Sequence, residues 1–439
     1  MSILVKDCDW IVTENGDRDV LRGKSVYIED GVIVEIGDGI GCEADYVIDG
    51  SKKLMMPGLI NTHTHLAMTL FRGYADDMPV RDWLERKIWP LEAGLGEGDC
   101  LAGSMLGCLE MIETGTTCFL DMYFFNKATA DAVERSGLRA ILSYAILDAF
   151  DPESKGKPRI HEKLNGFRKA SGNRRVEYAI GPHAPYSCSD ETLLKCKERA
   201  LEEDALIHTH IAEAEWERRL FEEKYGKSVI AHLEEIGFLC ENLVAAHCVW
   251  LDEGDIPLMS KRGIKVSHCP VSNMKLAVGG TAPIVEMLGE GLAVSLGTDS
   301  AASNNSLDMF GAMKACALAQ KSARGDPTVL PANAVLDLAT IKGAAALRKE
   351  GEIGSIEVGK RADLILLDLR SPNLSPIHGK DTVVSDIVYS ASGYNVETTI
   401  VDGRVLMLNR RLLTLDAEEV LEMASEAALG LMERGPQNP

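Results

Sequence analysis

At 439 residues, 46% of them hydrophobic, the chain is too long for one small core, and a barrel of ~250 residues with a smaller second unit fits its length. A formal net charge of −21, without a basic stretch longer than a few residues, argues against nucleic acid and anionic membranes as partners and leaves small neutral or zwitterionic molecules. Eleven cysteines occur singly with no C-x-x-C pair, which opposes a disulfide framework or cysteine zinc knuckle; with no signal peptide and no apolar run near ~20 residues, a cytoplasmic protein is expected.

Residues 1–57 read as short strands at 3–5, 10–12, 25–28, 32–36 and 46–49, with Glu29-Asp30-Gly31 as a hairpin turn because Asp-Gly readily supplies positive φ. The same texture returns in 355–439, at 361–368 and 398–407, with a second turn at Asp402-Gly403. Periodicity leaves open whether the two ends pair or form separate β-segments. Between them, 58–354 alternates short apolar runs with longer amphipathic stretches, the pattern of βα units around a parallel sheet. Eight strands are expected, at 58–62, 116–120, 140–146, 176–180, 206–209, 243–246, 265–267 and 294–298, with charged outer helices such as 190–203, 215–225 and 228–236. The fold class predicted is α/β, a (β/α)8 TIM-like barrel. A doubly wound open sheet competes, but no G-x-G-x-x-G follows an early strand. Near the C-terminus, Asp416 and Glu419 form a capping-box pattern before a helix bearing Val420, Met423, Ala427 and Leu431, an apolar stripe that packs either on the chain or on another subunit.

The unusual polar residues fall in register with the predicted strand ends, where the catalytic groups of a barrel collect. His63 and His65 of LMMPGLINTHTHLAM follow strand one and share a face of an extended chain. Asp121 follows strand two, His183 strand four, His210 strand five, His247 strand six, His268 strand seven and Asp299 strand eight. Of the other histidines, His208 is expected deeper in the barrel wall, His161 and His232 on polar helices and His378 in a loop, all with structural roles. His63, His65 and His210 offer three imidazole nitrogens and Asp299 a carboxylate oxygen, with water in the open position of a catalytic Zn2+ site. Fe2+, Co2+ or Mn2+ also suit such a mixed shell. One metal per subunit is favoured, since strand four, VEYAIGPH, has no lysine to bridge a second ion, while Glu177 keeps the two-metal alternative open. A bound divalent ion lowers the pKa of its water from ~16 to ~7, so a proton shuttle is needed. Glu213, three residues after His210, either starts the next helix, where an acid favours the dipole, or shuttles the proton; following a ligand so closely favours the shuttle. Asp299 and His247 are expected to orient the nucleophile and stabilise charge.

THTH after PGLIN, HTHIAEAE, AAHCVWLDE, VSHCPVSNMKLAVGG, GTDSAASNNSLDMFGAMKACALAQK and GKRADLILLD together resemble the amidohydrolase superfamily, and within it the 5'-methylthioadenosine/S-adenosylhomocysteine deaminase family, up to about Met407. Archaeal members that act on 5'-deoxyadenosine are similar too. The resemblance implies a barrel flanked by a small β-sandwich built from both chain ends, metal on His63, His65, His210 and Asp299, and proton transfer on Glu213 with help from His247 and Asp299. It implies substrate contacts on Glu92 and His183, beside Glu213 and Asp299 at the reacting purine, and a homo-oligomer. The expected reaction is attack of water at C6 of an adenosine-type nucleoside with Glu213 protonating N1, giving ammonia and the inosine analogue. The chain departs from the family at Tyr144, where a basic residue for the homocysteine carboxylate is expected; small or absent 5' substituents are therefore expected to be preferred, unless Lys155, Lys157 and Arg159 substitute. Alternatives are a guanine or cytosine deaminase, a hydrolase of amides or triazines, and a metal-free barrel serving as a binding or scaffold protein.

Overall fold

The structure, a computed structural model, describes residues 1–149, 151–154 and 160–434. Eight parallel strands ring its centre: β1 (Leu59–Thr64), β2 (Thr116–Tyr123), β3 (Arg139–Ile146), β4 (Val176–Pro182), β5 (Ile207–Ile211), β6 (Leu243–His247), β7 (Lys265–His268) and β8 (Ala293–Leu296). Their order in the sheet is their order in the chain, as in a barrel of successive βα units. The charged segments form outer helices where helical spacing places them, at Asp190–Glu202, Glu215–Tyr225 and Val229–Glu235. Each turns a few apolar side chains inward, such as Leu193, Phe221 and Leu233, and leaves its charges in water.

The seam between β8 and β1 closes through side chains and single backbone bonds rather than a regular ladder. Thr62 Oγ1 donates to the Leu296 carbonyl at 2.9 Å, and the Asp299 amide donates to the His63 carbonyl at 2.9 Å. Gly297 permits this approach, since a Cβ there would sit 2.7 Å from the His63 Cβ. A missing side chain just past β8 thus brings Asp299 beside His63 and His65 at the end of β1. Below the seam, Thr62 bonds to the hydroxyls of Ser267 (2.7 Å) and Ser295 (2.8 Å), so this part of the interior is polar where barrels usually hold branched aliphatic residues.

The two chain ends pair. Strand Lys53–Pro57 lies between Trp10–Val12, parallel to it, and Leu364–Asp368, antiparallel with Leu364 opposite Pro57, inside a seven-stranded sheet. A four-stranded sheet of N-terminal strands faces it. Ile3, Val5, Val26 and Ile28 of that sheet and Met55, Leu364, Leu366 and Ile400 of the larger one form a separate core, the interior of a β-sandwich. In the terminal helix, Ala417–Arg434, the Asp416 carboxylate accepts the first amides, from Glu418 (3.0 Å) and Glu419 (3.2 Å). Val420, Ala424 and Leu431 are buried and Arg434 reaches Asp99 at 2.7 Å, so the stripe packs on the chain itself. Among the described residues no helix is long and apolar enough to cross a membrane.

Candidate active site

The carboxyl ends of the strands bring His63, His65, His210 and Asp299 together. His63 lies inside β1 and His65 one residue past it, because β1 runs two residues further than the apolar run suggests. Both present Nε2 to Asp299 Oδ1, at 3.5 and 3.3 Å, and His210 Nε2 lies 3.2 Å from His65 Nε2. The other ring nitrogens are tied down: His65 Nδ1 donates to the Met122 carbonyl and His210 Nδ1 to the His183 carbonyl, each at 2.6 Å. Such bonds fix the tautomer and leave Nε2 bare. Asp299 is oriented in the same way, with Oδ2 accepting from the hydroxyls of Ser272 (2.5 Å) and Ser303 (2.9 Å). Its backbone is left-handed, with φ +62°, a conformation Asp tolerates and the surrounding bonds hold.

This donor set fits a divalent cation. His63 Nε2 and His247 Nε2 are buried without a hydrogen-bond partner, and converging groups form from His63, His65 and Asp299 and from His63, His210 and His247. Burial pushes the His63 imidazole down to about 4 and the His210 imidazole well below its ordinary value, so both are neutral at neutral pH, the state in which an imidazole can bind a metal. Burial also opposes a charge on His65, yet the Asp299 carboxylate outweighs it and raises that imidazole to about 9. A cation held by His65 and Asp299 would displace that proton, as metal binding at imidazoles does.

Glu213 and His247 complete the floor. The helix after β5 starts at Glu215, and Glu217 reaches back to the residues before it, its Oε1 accepting the N–H groups of Glu213 and of the N-cap Ala214 at 3.1 Å each. Glu217 does the capping, so the Glu213 carboxyl is released to line the cavity, 3.9 Å from His247 Nε2. Burial raises the Glu213 pKa above the ordinary carboxylate value, the direction a proton shuttle needs. His247, at φ +71°, donates Nδ1–H to Asn273 Oδ1 at 2.9 Å and so offers a bare Nε2.

The cavity above these groups opens to solvent at its mouth and is lined by His65, His183, His210, Glu213, His247 and Asp299 together with apolar side chains, the mixture expected of a small-molecule site. One wall comes from the segment after β1, through Val80, Trp83, Leu84, Ile88, Trp89 and Glu92. Glu92 is buried and accepts the Tyr123 hydroxyl at 2.9 Å, and burial raises its carboxyl to about 7. On the opposite side His183 lines the cavity, with Nδ1 and the Ser187 hydroxyl 2.8 Å apart.

Four expectations are corrected. Tyr144 faces away from the cavity: it packs on Phe167 and Tyr178 behind β3, while Ser143 turns into the barrel and Ala145 and Leu147 reach the cavity wall. His268 ends β7 but does not line the cavity, since its neighbour Ser267 takes the inward position and successive side chains alternate. Glu177 sits at the opening end of β4, bonded to Lys349 at 2.5 Å, at the opposite end of the barrel from His183, which removes it as a bridge to a second ion. Asp121 is buried and accepts the Leu66 amide at 2.6 Å, holding the turn after His65 rather than facing the cavity. Lys155, Lys157 and Arg159 lie outside the described residues.

The chain matches the model of the Amidohydrolase family over residues 54–406. It is 48% identical over 434 residues to a 5'-deoxyadenosine deaminase of Methanosarcina acetivorans, covering 98% of this chain and 99% of that protein. It is 46% identical over 414 residues to a 5-methylthioadenosine/S-adenosylhomocysteine deaminase of Thermococcus onnurineus, covering 94% and 95%. A solved structure of an adenosine deaminase from Xanthomonas campestris with bound zinc superposes with a TM-score of 0.91 at 32% identity over 98% of each chain. With this match over most of the barrel, the chain belongs to the amidohydrolase family.

Proposed function

We propose that the chain is a zinc-dependent deaminase of adenosine-type nucleosides that replaces the 6-amino group by oxygen and releases ammonia. The observation that carries this reading is the release of Glu213 from helix capping into the cavity that also holds the His63, His65, His210 and Asp299 cluster and Glu92. The names of the relatives support it: deaminases of 5'-deoxyadenosine and of 5-methylthioadenosine/S-adenosylhomocysteine. The zinc in the adenosine deaminase structure supports the choice of ion. When bound, the ion supplies a water acidified from ~16 to ~7. Asp299 and His247 face that position as acceptors and aim the attacking water. Glu213 takes up a proton and delivers it to N1 of the purine, which draws electrons from C6 and lets the amino group leave as ammonia. His183 borders the purine. Glu92 accepts the ribose hydroxyls. The enzyme works in the cytoplasm, where its free cysteines stay reduced, and as a homo-oligomer.

The pH dependence follows from Glu92. A carboxylate accepts two hydroxyls and a carboxylic acid accepts fewer, so KM falls as pH rises through about 7, where Glu92 ionises. Tyr123→Phe removes the donor that favours the charged form, raises the Glu92 pKa further and moves the acid limb of kcat/KM to higher pH. A pH profile of kcat/KM checks this; an unmoved limb would remove Glu92 from ribose binding.

For the 5' end, the cavity wall includes Met68, Phe124, Leu147 and Trp89, and among its described lining residues there is no lysine or arginine. We propose 5'-deoxyadenosine and 5'-methylthioadenosine as preferred substrates over S-adenosylhomocysteine, whose amino-acid carboxylate finds no cation on that wall. Competition between these nucleosides in an ammonia-release assay tests the ranking, and a higher kcat/KM for S-adenosylhomocysteine contradicts it.

A further inference from the structure

We propose that His208 and Ser143, in the barrel interior beneath the cavity, are positioning residues that set the tautomer and aim of His63 and thereby the metal affinity of the cluster. The inference rests on the metal-site reading above. His65 and His210 each hand their Nδ1 proton to a backbone carbonyl, an acceptor that cannot change its state. His63 has no such partner. Its Nδ1 meets His208 Nε2 at 2.7 Å, edge to face, with ring centroids 4.8 Å apart.

Between two imidazole nitrogens one carries the proton, and which one decides the chemistry. His63 Nε2 is buried without a hydrogen-bond partner and points at Asp299 Oδ1, so a cation there needs its lone pair. The proton of His63 therefore belongs on Nδ1 and is donated to His208. His208 Nε2 must then be bare, its own proton on Nδ1, which lies 3.1 Å from the Ser143 hydroxyl oxygen. The reverse tautomer would aim an N–H at the cation. One proton placement thus runs through three residues on β3, β5 and β1, and it ends at the Ser143 hydroxyl, with the Asp121 backbone carbonyl as a further acceptor for the His208 ring.

His208 is fully buried in a place where barrels usually hold branched aliphatic side chains. A buried imidazole is costly unless both nitrogens are bonded, and here both are. The side chain is kept for its acceptor, which a leucine of similar bulk lacks.

The test is zinc affinity, read by competition of the metal-stripped protein against a chromophoric chelator, together with the visible absorption of the cobalt-loaded form. His208→Leu is expected to weaken zinc binding by ~10–100-fold, as loss of a partner behind a metal ligand does, and to change the cobalt spectrum. His208→Gln, whose amide oxygen can accept the His63 proton, is expected to regain most of that affinity. Ser143→Ala is expected to cost about 10-fold, the low end of the same range, and it decides the matter if His208→Leu does not fold. Wild-type affinity in His208→Leu or in Ser143→Ala overturns the proposal, as does a His208→Gln protein that binds as weakly as His208→Leu, since packing alone would then be at work. A wild type that takes up neither zinc nor cobalt overturns the metal site itself and this inference with it, whereas metal-tight variants beside a metal-binding wild type overturn only the role of His208.

Discussion

Glu213→Gln is expected to lower kcat on 5'-deoxyadenosine by ~10²–10⁴-fold while leaving metal content at the wild-type level, the scale of losing a general acid–base group. The substitution keeps the volume of the side chain and its place in the cavity, which is set by the Glu217 bonds to the backbone of Glu213 and Ala214. What it removes is a carboxylate able to take a proton and give it to N1. Glu213 converges with His247 and Asp299 as well, but the substitution leaves the His63, His65 and Asp299 group untouched. A fall in kcat with unchanged KM and full metal loading, measured by steady-state kinetics and elemental analysis on the same protein, is the expected outcome. Loss of metal together with activity would make Glu213 a ligand rather than a shuttle.

Asp299→Ala is expected to give a folded protein that holds little metal and has no measurable turnover. The three imidazoles of the cluster bring no negative charge, and Asp299 supplies it through an oxygen that Ser272 and Ser303 aim by holding its twin. Removing a ligand should cost more than the ~10–100-fold of removing a partner behind one. Thermal unfolding reads this without any substrate. A ligand at 1,000 times its Kd stabilises the native state by about 4 kcal/mol, so zinc should raise the wild-type melting temperature and leave that of the variant nearly unmoved. An equal zinc response in both would place the ion elsewhere.

The barrel was legible because its strands are short apolar runs and its outer helices carry charge, two periods that differ clearly. His63, His65, His210 and Asp299 stood out because polar residues at the ends of such strands have few structural reasons to be there. Tyr144 and His268 were misplaced for one shared reason. Position at a strand end says which end of the barrel a residue occupies, whereas the side of the wall depends on a one-residue phase that a single strand does not reveal. Ser143 and Ser267, their neighbours, hold the inward positions instead. Of the residues that orient the site, only the buried place of His208 in the barrel wall was legible, and none of the bonds they make was. Ser272, Ser303, Asn273 and His208 act on groups 27, 4, 26 and 145 positions away, through bonds that exist once the barrel closes. The seam depends in the same way on Gly297, a residue whose importance lies in what it lacks.

The measurement that bears most directly on the account is ammonia release from 5'-deoxyadenosine by the zinc-loaded protein, with the product identified and the assay repeated after chelation. The account predicts one ammonia per nucleoside consumed, the 5'-deoxyinosine product, loss of turnover on removal of the metal and its return when zinc is restored. A protein that binds zinc at this cluster yet releases no ammonia from 5'-deoxyadenosine, 5'-methylthioadenosine or adenosine would contradict it.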